Sequence, residues 1–181
     1  SKAYILNTGI ITAIGNNTSE NTSALFDKKA GITLVEILQT QHQFPVGEIK
    51  LSNEALASKC GLDANLPRTA LLSAIAVQEA ILPFKEKLLG LKIAFISGNT
   101  VGGMDLTEQF YDDFKQQKEP IAWEKVKYHE CGAITQIVAQ SLELNSWNTT
   151  ISTACSSSAN TIMMGAELIA NGRFDLVIAG G

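Results

Sequence analysis

Residues 148–171 read NTTISTACSSSANTIMMGAELIAN, and this stretch decides which fold we expect. Residues 148–152 are rich in β-branched side chains, as buried strands are. A turn of small residues around Cys155 follows, and residues 156–171 then place apolar side chains at helical spacing. Gly172 suits the C′ position of that helix. The predicted buried face of the helix consists of Ala159, Ile162, Met163, Ala166, Ile169 and Ala170.

Strands and helices alternate through the rest of the chain. Ser19 is the expected N-cap of the first helix, after a turn at residues 15–17, and Pro83 is expected to end the second. Because several strands are apolar along their whole length, we predict a layered α/β fold around a mostly parallel sheet. The chain stops directly after its last strand, so we expect it to be part of a larger unit. The predicted strands cover residues 4–12, 44–51, 92–97, 148–152 and 174–179, and the predicted helices cover residues 19–26, 68–82, 131–142 and 156–171.

Composition and charge exclude several classes of protein. With 45% hydrophobic and 18% charged residues, the chain can bury a core. A formal net charge of −4 argues against a non-specific nucleic-acid binder. No apolar run reaches the roughly 18 residues that a membrane helix needs. Three cysteines without a CxxC pair, and two histidines, support neither a disulfide framework nor a zinc site. We therefore expect a cytoplasmic protein that binds no nucleic acid, membrane or metal.

Cys155 is the candidate nucleophile. At a strand-to-helix turn, free backbone N–H groups and the positive end of the helix dipole converge. Both favour the thiolate, which is the form that attacks acyl groups, and the Cys155 N–H is itself a candidate oxyanion donor. From the position alone, an inert packed cysteine is the commoner alternative. Cys60 and Cys131 lack this setting, and we expect both to be structural.

The segment Thr153-Ala154-Cys155-Ser156-Ser157-Ser158 resembles the active-site signature of the β-ketoacyl synthases of fatty-acid and polyketide assembly. Four other segments resemble the same family in the same order. Residues 9–16 resemble its first strand and turn, and residues 67–72 the start of its second long helix. Residues 97–104 resemble its glycine-containing loop beside the acyl pocket, and residues 165–181 its helix–strand unit after the nucleophile. The resemblance therefore covers nearly the whole chain.

The resemblance implies both a fold and a reaction. The fold is thiolase-like, and residues 1–181 would form its amino-terminal α/β/α half, with a mostly parallel five-stranded sheet. The reaction is a decarboxylative Claisen condensation in fatty-acid, polyketide or polyene biosynthesis. Cys155 would hold the acyl group, and malonyl-acyl carrier protein would supply the second unit. The family implies a homodimer, an acyl carrier protein as partner, and no cofactor.

The resemblance also implies site residues beyond Cys155. It assigns one group of residues to the acyl pocket and another group to contact with the carrier protein. The pocket group consists of Gly98, Val101, Gly102, Gly103, Ala154 and Ser156, and the carrier group consists of Lys59, Arg68, Lys125 and Lys127.

The chain departs from the family pattern in three respects. The two catalytic histidines and the lysine of the family belong to its carboxy-terminal half, and neither His42 nor His129 stands at a matching position. We therefore expect a missing half to supply them. Ser146-Trp147 replaces the usual Gly-Pro turn before the nucleophile strand. The chain is acidic overall, whereas the carrier-binding surface of the family is basic.

Two alternatives remain open. A thiolase acting on acyl-CoA would share the fold and the nucleophile. A non-catalytic fragment or partner subunit would lack the half that carries the histidines and the lysine. Family members that only set chain length replace the nucleophile by a residue without a thiol, so Cys155 favours an active subunit.

Overall fold

The computed structural model describes residues 2–143 and 145–181. Within these ranges the chain forms six α-helices and five strands, with short 3-10 segments at residues 82–87, 123–128 and 154–156. In chain order, the elements are α1 (Thr18–Phe26), β1 (Ile32–Thr33), β2 (Val46–Gly47), α2 (Asn53–Cys60), α3 (Arg68–Ile81), β3 (Ile93–Gly98), α4 (Met104–Lys115), α5 (Cys131–Ser141), β4 (Ser146–Ile151), α6 (Ser157–Ala170) and β5 (Leu176–Gly180).

The central sheet consists of three parallel strands in the order β4-β3-β5. β3 lies in the middle, and its residues from Ile93 to Ser97 are all buried, as expected for a strand covered on both faces. Its register pairs Gly98 with Ile151 of β4 and Ser97 with Gly180 of β5. The α/β class and the parallel sheet are therefore confirmed, and so are the strand at residues 92–97 and the long helices to within a few residues.

The helices cover the sheet on both faces. Ile93 and Phe95 of β3 belong to a core that also contains Leu71 of α3 and Val138 of α5. The alternate face of the sheet contacts α6, because a Cβ atom at Gly165 would lie 2.9 Å from the Val177 side chain. The layers are therefore α3 and α5, the sheet, and α6.

The strand count differs from the prediction of one five-stranded sheet. β1 and β2 form a separate two-stranded antiparallel ladder, which leaves three strands in the described part of the main sheet. Of the strand predicted at residues 44–51, only Val46–Gly47 forms a strand, and it pairs with Ile32–Thr33 of β1.

Residues 4–11 form no strand, although their β-branched composition predicted one. Their polar groups bind the end of α3 instead. The Asn7 side chain donates to the Ala80 carbonyl at 2.9 Å, and the Ile10 N–H donates to the Glu79 carboxylate at 2.9 Å. The turn predicted at residues 15–17 is confirmed. The N-cap of α1 is Asn17 and not the predicted Ser19, because the Asn17 side chain accepts a hydrogen bond from the Glu20 N–H.

The buried face of α6 is not the one predicted. Ser157, Thr161 and Gly165 face the sheet, whereas Ile162 and Met163 are 55% and 58% exposed. Small residues allow the helix to approach the strands closely, so the bulkier side chains lie on the outer face.

Glu48 fixes the loop between β1 and β2. Its side chain is 1% exposed and accepts hydrogen bonds from the N–H groups of Glu36, Ile37 and Leu38 at 2.6–2.9 Å. Lys50 completes the site with its Nζ 2.8 Å from the carboxylate. The Lys50 ammonium and these N–H groups lower the pKa of Glu48 from 4.5 to about 2.

We expect Glu48 to stabilise the protein at neutral pH and to lose that effect in acid. Because its folded-state pKa is depressed, the contribution is present above the unfolded value of 4.5 and declines as the pH falls from there towards 2. Urea unfolding of wild type and Glu48→Gln should therefore show a difference in midpoint that shrinks between pH 7 and pH 3. Glu86→Gln, at an exposed carboxylate, is the control. An equal difference at both pH values would contradict the prediction.

Candidate active site

The carboxyl ends of the three parallel strands meet at one edge of the sheet. β3 leads into the glycine loop, defined here as residues 98–103, and β4 leads into the turn that carries Cys155. β5 ends at Gly180, and Gly181 then lies against the Gly98 carbonyl. This edge of a parallel α/β sheet is where ligands usually bind.

Cys155 lies in the 3-10 segment Ala154–Ser156, between the end of β4 and the start of α6. Its side chain is exposed and is not part of a disulfide. Ala154, directly before it, has a φ of 52°, in the left-handed region that non-glycine residues rarely occupy. The predicted order of strand, small-residue turn and helix is therefore confirmed, with the cysteine at the N-terminal end of α6.

Polar side chains tie the turn to the first part of α6. The Ser156 hydroxyl donates to the Thr153 carbonyl at 2.8 Å, and the Asn160 amide donates to the Thr153 hydroxyl oxygen at 2.8 Å. The sequence interpretation did not single out Asn160. The sequence could have indicated Asn160, because it lies four residues after Ser156 and helical side chains at that spacing are neighbours.

Asn99 joins the glycine loop to the cysteine strand. Its backbone N–H donates to the Ile151 carbonyl at 3.1 Å, which extends the ladder between β3 and β4 by one bond. Its side-chain oxygen accepts from the N–H groups of Val101 and Gly102 at 3.1 and 3.0 Å, which fixes the turn of the loop. Thr100, next in the chain, reaches the Ala154 carbonyl at 3.4 Å. Asn99 and Thr100 both lie within the segment that resembles the family's loop, but the resemblance gave neither residue a role.

The glycines of the predicted pocket lie in two different places. Gly98 lies against the start of α6, because a Cβ atom there would lie 2.9 Å from the Ser157 carbonyl carbon. Gly102 and Gly103 instead pack against the backbone of residues 128–129, and the Gly103 N–H donates to the Tyr128 carbonyl at 2.7 Å. Val101 is half exposed. A role for Gly98, Val101, Gly102, Gly103, Ala154 and Ser156 in an acyl pocket stays a prediction.

A groove in the described part of the chain is lined by residues other than Cys155. It is open, has a volume of about 500 Å³, and lies between residues 2–4 and the outer face of α6, including Met163 and Ala166.

No group of three metal-ligating side chains occurs in residues 2–143 and 145–181. No helix in these ranges is long and apolar enough to cross a membrane.

The other two cysteines differ from Cys155 in exposure. Cys60 is 6% exposed, and burial raises the pKa of its thiol. Cys131, the first residue of α5, is partly buried.

The predicted carrier-contact residues differ in how far they are engaged within the chain. Lys59 is exposed near the end of α2. The Arg68 guanidinium donates to the Asn53 side chain at 3.0 Å and to the Ile49 carbonyl at 2.8 Å. Lys125 lies 3.8 Å from the Asp113 carboxylate, and Lys127 lies over the Tyr128 ring at 4.7 Å. Contact of these four residues with a carrier protein stays a prediction.

Comparison with known proteins identifies the family and the fold. The family described as "Beta-ketoacyl synthase, N-terminal domain" matches residues 4–181. The 3-oxoacyl-(acyl-carrier-protein) synthase 1 of Buchnera aphidicola is 26% identical over 189 residues, which cover 99% of this chain and 46% of that protein.

Two solved structures are similar over nearly the whole chain. A ketosynthase in complex with its chain length factor, from Xenorhabdus doucetiae, has a TM-score of 0.78 and 25% identity, covering 98% of this chain and 46% of that one. The ishigamide ketosynthase/chain length factor has a TM-score of 0.83 and 20% identity over the same shares. These likenesses confirm the predicted thiolase-like fold, and this chain spans about half the length of the relatives it matches.

We expect the exposure of the three thiols to set their order of alkylation. Iodoacetamide should modify Cys155 first in the native protein, because its side chain is exposed, and Cys60 last, because it is buried with a raised pKa. Peptide mass spectrometry over a time course gives the order, and the same reaction in urea should remove the difference. Modification of Cys60 before Cys155 in the native protein would contradict the exposures described here.

Proposed function

The chain belongs to the β-ketoacyl synthase family, and from this premise we propose that Cys155 is the acyl acceptor of a decarboxylative condensing enzyme. The observation that carries the proposal is the position of Cys155, exposed at the N-terminal end of α6 and at the carboxyl edge of the sheet. An attacking thiol needs access to its substrate and a setting that favours the thiolate.

The first half-reaction would transfer the acyl group to Cys155. Its thiolate attacks the thioester carbonyl, a tetrahedral oxyanion forms, and the carrier thiol leaves and takes up a proton. Backbone N–H groups at the helix start are suitable donors to the oxyanion, and one such donor contributes about 10²–10³ to kcat in other acyl-transfer enzymes. In this chain, the Cys155 N–H is the proposed donor.

The second half-reaction would form the carbon–carbon bond. A malonyl thioester loses carbon dioxide, and the resulting carbanion attacks the carbonyl of the acyl-Cys155 thioester. The Cys155 thiolate leaves, and the product is a β-ketoacyl thioester. Decarboxylation supplies the nucleophilic carbon, so the site needs groups that polarise the malonyl carbonyl rather than a strong base.

The side chains of the two histidines contact residues other than Cys155. His42 stacks on Phe44 with ring centroids 5.5 Å apart, and His129 Nδ1 lies 3.2 Å from the Thr107 hydroxyl oxygen. We therefore assign the polarising role to two histidines and a lysine in a further half of the whole protein. The greater length of the relatives, of which this chain spans 46%, supports that assignment.

The outer face of α6 is the proposed contact surface for that further half. Ile162 and Met163 are both more than half exposed, and the open groove beside residues 2–4 continues the same apolar surface. Exposed apolar surface of this extent is usually covered by another element.

We propose an acyl carrier protein as the donor of both thioesters, and a homodimer as the assembly, with the reaction taking place in the cytoplasm. The name of the Buchnera aphidicola relative specifies an acyl-carrier-protein substrate, which supports the first assignment. A second candidate is a partner subunit that sets chain length, because each of the two structures named above contains a chain length factor. The thiol at position 155 favours the catalytic subunit.

We expect Cys155→Ala to abolish condensation in the full-length protein, because no acyl-enzyme can form. The rate with acyl- and malonyl-carrier protein should fall by at least about 10³-fold. Cys131→Ala removes a thiol from a helix outside the Cys155 turn and should keep its activity. Faster turnover with acyl-CoA than with the acyl-carrier substrate would indicate a thiolase, and elongation by Cys155→Ala would contradict the proposal.

We expect Met163 to be covered in the full-length protein. Hydroxyl-radical footprinting should oxidise it slowly in the native protein and rapidly in urea, although it is 58% exposed in the chain described here. Equal oxidation in the two states would show that the outer face of α6 is free, which would contradict its assignment as a contact surface.

A further inference from the structure

The Ser157 hydroxyl connects three parts of the site. Ser157 is 5% exposed and is the first residue of α6. Its Oγ accepts a hydrogen bond from the Thr153 N–H at 3.0 Å and donates to the Ala154 carbonyl at 2.8 Å. The Thr100 hydroxyl of the glycine loop lies 3.2 Å away.

The number of protons on these groups fixes the direction of each bond. A serine hydroxyl has one proton and two lone pairs. Because the Ser157 proton goes to the Ala154 carbonyl at 2.8 Å, the Thr100 hydroxyl is the donor in the side-chain contact at 3.2 Å, and its longer contact of 3.4 Å with the same carbonyl shares that one proton. The Ser157 hydroxyl is then fully used, with one bond donated and two accepted.

The two backbone bonds of Ser157 bracket the strained residue of the turn. One holds the N–H of Thr153 and the other holds the carbonyl of Ala154, whose φ of 52° lies in the left-handed region that a non-glycine residue rarely adopts. Such a conformation persists only where its surroundings enforce it. Cys155 is the next residue, so the direction of its Cα–Cβ bond depends on the conformation of Ala154.

We propose that Ser157 is the positioning residue for Cys155, and that Thr100 extends this control to the glycine loop. The inference rests on the proposed role of Cys155 as acyl acceptor. Ser157 acts through the backbone of Ala154 and is not assigned any contact with substrate. Its loss should therefore misplace the thiol without weakening substrate binding.

The test compares Ser157→Ala, Ser157→Thr and Thr100→Val in the full-length protein, with Ser141→Ala as matched control. Ser141 also donates a hydroxyl to a backbone carbonyl, that of Val138 at 2.7 Å, but within α5. For acyl transfer, Ser157→Ala should lower kcat by about tenfold to hundredfold at an unchanged KM. Thr100→Val should lower kcat by a smaller factor. Ser157→Thr should have a kcat between those of Ser157→Ala and the wild type, and Ser141→Ala should have the kcat of the wild type.

A second readout separates this inference from the proposed reaction. The alkylation rate of Cys155 by iodoacetamide, divided by that of Cys131 in the same molecule, reports the setting of the thiol without any condensation. The ratio should fall severalfold in Ser157→Ala and stay constant in Ser141→Ala.

Each outcome of these measurements bears on one of the two claims. If the wild type transfers no acyl group but the alkylation ratio changes as expected, the proposed reaction fails and the positioning role stands. An unchanged ratio and an unchanged kcat in Ser157→Ala would overturn the positioning role. So would a Ser157→Thr variant as slow as Ser157→Ala, because the hydroxyl would then not be the cause. If Ser157→Ala does not fold, Thr100→Val decides, and an unchanged ratio and kcat in that variant would overturn the role.

Discussion

The parallel pairing of β3 with β4 and β5 is the constraint on which the site depends. Because the strands run in the same direction, their carboxyl ends share one edge, and the glycine loop and the Cys155 turn both begin there. The bond from the Asn99 N–H to the Ile151 carbonyl fixes their relative position just beyond the ladder. The cysteine is thus held in place by backbone register as well as by side chains.

Close packing of α6 on the sheet follows from the small residues at its start and centre. Ser157, Thr161 and Gly165 face the strands, and Gly98 allows the end of β3 to meet the helix. The same arrangement directs Ile162 and Met163 outwards. The packing of these small residues therefore brings the start of α6 to the sheet edge. It also leaves an apolar outer surface, which we propose to contact a further half of the protein.

Sequence patterns predicted α3, β3 and the Cys155 turn, because the signals for these segments are local, but they did not predict α2 or α4. They failed where tertiary contacts override composition. The spacing rule assigned the bulky residues of α6 to the core, whereas small residues pack there. Residues 4–11 have strand-like composition, but Glu79 and the end of α3 bind their polar groups. The contact between Thr100 and Ser157 joins positions 57 residues apart, so no local pattern could reveal it.

The proposed reaction depends on covalent acylation of Cys155, which intact-protein mass spectrometry detects. The full-length protein is incubated with an acyl thioester in the absence of any malonyl donor, and then digested to locate the modification. We expect a mass increase of one acyl group, located on the peptide that contains Cys155 and removable by hydroxylamine. An unmodified protein, or an acyl group found on Cys60 or Cys131 instead, would contradict it.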